Sequence, residues 1–108
     1  MRITVTATGG VTVVTVAGEI DHASAGPLVE ALDPGRRGAS LRVVVDMRQV
    51  SFMDSSGINV FLAAYRDLTP NGWLRLAGTQ ASVMRTLEIV GVDSVIPCYP
   101  SLREALIG

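Results

Sequence analysis

The segment Leu41-Arg42-Val43-Val44-Val45-Asp46 constrains this chain more than any other, because its apolar, β-branched run is continuous rather than alternating. A continuous run reads as a central strand covered on both faces. Phe52-Met53-Asp54-Ser55-Ser56-Gly57 follows, and then a stretch of helical periodicity starting near Ser55. In that helix Ile58, Phe61, Leu62, Tyr65 and Leu68 fall on one stripe, the face expected to pack on the sheet. Asn59, Val60, Ala63, Ala64, Arg66 and Asp67 are left to the other faces. A buried strand, a short loop and an amphipathic helix together specify an α/β fold.

The flanking sequence extends the pattern. Ile3–Ala7 and Val11–Val16 are β-branched and mostly alternating, with Gly9-Gly10 between them, and predict an opening hairpin. His22 to Leu32 reads as a first helix with Asp21 as its cap and Pro34-Gly35 as its stop; Pro27 shortens it toward a start near Gly26-Pro27, since proline suits only a first turn. Asp33 to Ser40 reads as a solvated loop. Pro70-Asn71-Gly72 predicts a turn, and Trp73–Ala77 a strand. Thr79 then caps a helix held to the core by Val83, Leu87 and Val90 and ended by Gly91. Val95-Ile96 reads as a short strand, and Leu102–Ile107 as a last helix with Leu102, Ala105 and Leu106 on its apolar side. The sum is a mixed sheet with helices packed against it.

Composition narrows the function classes. A length of 108 residues fits a single domain with one core. Nine basic and ten acidic residues leave a net charge of −1, and no basic cluster is denser than Arg36-Arg37. Direct binding of nucleic acid is therefore not expected. Although 48% of the residues are apolar, no run approaches the ~20 residues of a membrane span, and the start lacks signal-peptide order. A cytoplasmic chain with no membrane partner is the expectation. Cys98 is the single cysteine, which excludes an internal disulfide and any CxxC pair. Neither a phosphate loop nor GxSxG is present, and Asp21, Asp46 and Asp54 lack metal-ligand spacing. Ser55, His22 and Asp21 supply the residue types of a hydrolase triad without its motif. The chain reads as a non-enzyme with no cofactor and no metal.

Two hydroxyls beside a carboxylate at a helix start carry the remaining chemistry. A helix N-terminus exposes unpaired N–H groups and partial positive charge, so Ser55 could carry a phosphate without unfolding the chain. Plain capping by Asp54 is the simpler local reading. Yet no Glu or Gln completes a capping box, and Gly57 in the first turn costs about 1 kcal/mol relative to Ala. A surface kept open to a partner would explain that glycine, and short side chains at Val60, Ala63 and Ala64 would let a partner approach.

Phe52-Met53-Asp54-Ser55-Ser56-Gly57-Ile58 after a hydrophobic strand resembles the signature of the STAS domain, a family that includes bacterial anti-sigma factor antagonists. Val16-Ala17-Gly18-Glu19-Ile20-Asp21 is similar to the Gly-Glu-Leu-Asp turn of that family, in register with the first block. Ser82–Glu88 and Gly91-Val92 are similar to its third helix and the end of that helix. The resemblance spans almost the whole chain and tips the balance at Ser55 away from capping alone. It implies a STAS fold over 1–108, a mixed sheet of four to five strands with about four helices packed against it. It also implies an antagonist that binds an anti-sigma factor, itself a GHKL-type serine kinase, and so releases a sigma factor. Phosphorylation at Ser55 would end that binding, and a serine phosphatase would restore it, with ATP belonging to the kinase. Asp21, Asp54, Ser55, Ser56, Gly57, Asn59 and Val60 form the implied partner-binding set. Asn59 stands where glycine is common in the family. The alternative is a non-switching STAS scaffold subunit of a stress-sensing or transport complex.

Overall fold

The computed structural model describes residues 1–33 and 41–108. The helix stop read at Pro34-Gly35, the loop through Ser40 and the Arg36-Arg37 pair lie outside the described residues. The opening hairpin is formed by β1 (Arg2–Thr8) and β2 (Val11–Ile20), paired antiparallel from Arg2↔Ala17 to Thr8↔Val11. Its two-residue connection needs positive φ at both positions, and Gly9 and Gly10 supply it at 55° and 79°. After α1 (Ala25–Leu32) come β3 (Arg42–Met53), α2 (Ser55–Leu68), β4 (Trp73–Ala77), α3 (Ala81–Val90), a 3-10 turn (Val92–Ser94), β5 (Cys98–Tyr99) and α4 (Leu102–Ile107). The five strands lie in the order β1-β2-β3-β4-β5, and every pairing after the hairpin is parallel. Among the described residues this is the mixed α/β sheet with four helices that the resemblance implied.

Strand alternation divides the core in two. On one face Val14, Val16, Val43, Val45, Met47, Leu74 and Leu76 pack with Leu28 and Leu32 of α1, Phe61 and Leu68 of α2, and Val83 and Leu87 of α3. On the other, Val11, Val44 and Ala77 meet Ala105 of α4, joined by Trp73, Tyr99, Leu102 and Leu106. Arg75 secures this second layer, with its guanidinium 3.7 Å from the Trp73 ring centroid and Nη1 donating to the Ala105 carbonyl at 2.9 Å.

Several elements differ from expectation. The first helix begins at Ala25, beside the shortened start read at Gly26-Pro27 and not at His22, and Pro27 sits in its first turn, where the missing N–H costs nothing. Asp21 is therefore not its cap. Strand β3 runs on to Met53 because its partner β2 continues to Ile20, with Ile20 paired to Met53. Val60 and Ala64, expected on outer faces of α2, are buried, since α1 packs beside α2. Thr79 does not cap α3: Gly78, at φ 66°, turns the chain after β4 and the cap position falls to Gln80. Val90 is 55% exposed, and Val92, beyond the left-handed Gly91, enters the core instead. Val95 and Ile96 do not form a strand, because both amides bond back to the Val92 carbonyl, and the last strand starts at Cys98.

Candidate functional site

The parallel register brings the ends of β2 and β3 together. Ile20 is the last residue of β2 and pairs with Met53, so Asp21 and Asp54 leave adjacent strand ends. The Asp54 N–H donates to the Ile20 carbonyl at 3.1 Å, which ties the start of α2 to the tip of β2. Asp54 is the cap of α2, its backbone extended and its carboxylate accepting from the Ser56 N–H at 2.8 Å. Its carbonyl accepts from Gly57 and Ile58 at 3.1 and 3.3 Å. The capping reading of Asp54 is thus correct, and it leaves Ser55 as the first helical residue, exposed, with no hydrogen-bond partner for its hydroxyl.

Gly57 has a different role from the one the sequence indicated. It is buried, and a Cβ there would lie 2.6 Å from Met53 Cγ and 2.7 Å from Ile20 Cγ2. Glycine lets the first turn of α2 rest directly on the strand ends, facing inward and not toward a partner. Val60 is also buried, at 8% exposure. Of the remaining implied partner residues, Asn59 is exposed and Asp21, Asp54 and Ser56 are half-buried.

Asp21 organises the turn into α1. Its carboxylate accepts from the Ser24 N–H at 3.1 Å, while the Ser24 hydroxyl accepts from the Asp21 N–H at 2.8 Å. Among the described residues no arginine or lysine pairs with Asp21, Asp54 or Ser55, and no hydrogen bond links His22 to Ser55. The triad residue types are not assembled.

Two further polar groups lie outside this cluster. Asp46, read as one of several scattered acids, is 2% exposed and held by Arg48, with Nη2–Oδ2 at 2.7 Å and Nε–Oδ1 at 3.0 Å. Burial alone would raise its pKa, but hydrogen bonds from the Arg48 side chain and backbone, with the guanidinium charge, hold it below the usual carboxylate range. The spacing of Asp46 and Arg48 on one strand face was the available signal for this pair. Burial, aided by the charges of Asp93 and Glu88, pushes the Cys98 thiol up to about 11, so it behaves as a small core side chain.

A mixed sheet with helices packed on it, and an exposed serine at the start of the helix that leaves its central strand, defines a compact α/β module. The chain belongs to the STAS domain family, whose model matches residues 2–105. It is 36% identical over 85 residues to the anti-sigma-B factor antagonist of Bacillus subtilis, spanning 77% of this chain and 76% of that one. The anti-sigma-B factor antagonist of Listeria monocytogenes is 35% identical over 82 residues, 75% of this chain and 72% of that protein. The crystal structure of an anti-sigma factor antagonist from Mycobacterium paratuberculosis superposes with a TM-score of 0.90 at 29% identity, covering 98% of this chain and 91% of that one.

Proposed function

We propose that this chain is an anti-sigma factor antagonist that, with Ser55 unmodified, binds an anti-sigma factor and frees its sigma factor. The anti-sigma factor is a serine kinase that ends the association by phosphorylating Ser55, and a serine phosphatase resets the cycle in the cytoplasm. The chain is the regulated binding component and performs no chemistry itself. The observation that carries this reading is the exposed Ser55 hydroxyl at the start of α2, with no hydrogen-bond partner and with Asp21 and Asp54 at the adjoining strand ends.

Phosphorylation adds about −1.5 to −2 charge. The helix N-terminus offsets part of that charge, and the exposed position of Ser55 keeps the phosphate in solvent. The phosphate therefore remains at the surface beside Asp54, where it desolvates poorly and repels an acidic or tightly packed partner. Asp54 orients the first turn, and Asp21, Ser56 and Asn59 frame the contact. Gly57 and Val60 support it from beneath.

The test uses the purified chain with each anti-sigma factor kinase of the source genome in turn, with magnesium and ATP. Wild type should bind one of them and gain phosphate at Ser55. Ser55→Ala should bind and stay unmodified, and Ser55→Glu should bind at least tenfold more weakly. Equal affinity of all three variants, or no binding to any kinase, refutes the switch and favours a scaffold subunit.

A further inference from the structure

We infer that Phe52 is an aromatic anchor for the partner that docks over Ser55, an inference that rests on the Ser55 reading above. Strand β3 carries a register fault against β2. Gly18 pairs with Val50 and Glu19 with Phe52, so Ser51 is an extra residue with no counterpart on β2. Counting by twos from the fully buried Val50 would turn Phe52 inward and Met53 outward. The bulge reverses both. Met53 enters the core at 4% exposure, under Gly57, and Phe52 is left 47% exposed.

Bulges bend a strand and re-aim a side chain, and they concentrate beside functional sites. Here the re-aimed residue is the one exposed aromatic of the chain, since Phe61 is fully buried and Trp73, Tyr65 and Tyr99 are half-buried. It stands two residues ahead of the Asp54 cap. Its cross-strand neighbour Glu19 is exposed, and its carboxylate has no ion pair among the described residues. An aromatic side chain beside an unpaired carboxylate fits a partner face that offers an apolar slot with a lysine or arginine at its rim. Aromatic anchors seated in such slots dominate the binding energy of protein interfaces.

The inference is tested by measuring Kd of the purified chain for the kinase that binds wild type. Phe52→Ala should weaken binding at least tenfold, and Phe52→Leu should recover part of the loss. Glu19→Lys should weaken it at least threefold at low salt. Ile89→Ala removes a side chain that is 78% exposed at the far end of α3 and should leave Kd within twofold. A Phe52→Ala Kd within twofold of wild type, where Ser55→Glu has lost binding, overturns the anchor and leaves the Ser55 reading standing. Equal loss in Ile89→Ala overturns it as well. Ser55→Glu binding like wild type overturns the Ser55 reading itself.

Discussion

Replacing Gly57 with alanine should destabilise this protein, although the same change in most helices stabilises. The added Cβ falls 2.6 Å from Met53 Cγ, 2.7 Å from Ile20 Cγ2 and 2.9 Å from Met53 Sδ, against a carbon contact optimum of about 3.5–4.0 Å. The Met53 thioether can swing aside. Ile20 cannot, because it is β-branched and has no exposure. The first turn of α2 must lift or the strand ends must spread, at an overpacking cost of about 1–3 kcal/mol. Alanine returns about 1 kcal/mol of helix propensity, which leaves a net loss of about 1 kcal/mol and a Tm lower by roughly 5 °C. Gly26 is the internal comparison: it also lies in a first turn, in α1, yet beyond its chain neighbours and the helix backbone nothing lies within 4 Å of its added Cβ. In Gly26→Ala the helix gain is offset by crowding of the new Cβ against Pro27, so the change should stay within about 0.5 kcal/mol. Urea denaturation of both variants, with unchanged m-values, measures the contrast. Gly57→Ala as stable as Gly26→Ala would refute the close packing.

Two titration experiments extend this. Asp46 ionises at lower pH in the folded chain than in the unfolded one, so its contribution to stability is complete above about pH 3.9 and is lost as pH falls through the lower native value. The Tm advantage of wild type over Asp46→Asn should therefore be flat near neutrality and shrink only in acid; an advantage that persists unchanged to pH 2 contradicts the pairing with Arg48. Cys98, with its thiol pushed up to about 11, should react with iodoacetamide at pH 8 at least tenfold more slowly in the folded chain than in urea. Equal rates would mean that the thiol is not shielded.

The parts of this fold that local chemistry decides were legible in the sequence. Val43-Val44-Val45 can only be a covered strand, Gly9-Gly10 supplies a turn that few other pairs can, and Asp54 before Ser55 is an N-cap by side-chain type. What escaped depended on neighbours distant in sequence. The length of β3 is set by how far β2 runs beside it, and the direction of Phe52 by one unpaired residue in that ladder. Val60 looked outward until α1 was placed beside α2, and Gly57 looked like an opening until Ile20 and Met53 were found beneath it. Asp46 and Arg48 were visible separately, but nothing in their local sequence revealed that the carboxylate is buried. The candidate serine was therefore readable early, while the surface around it needed the sheet.

The sheet order β1-β2-β3-β4-β5 repeats the order of the chain itself. Each strand joins the free edge left by the one made before it, and none has to be inserted between two that are already paired. As the chain emerges from the ribosome, the sheet can grow by simple addition. Both strand ends that frame Ser55, together with the helix that carries it, have been made once Leu68 has been added. The remaining residues contribute β4, β5, α3 and the helix on the opposite face. The candidate serine and its immediate supports are thus complete before β4, β5 and the last two helices are made.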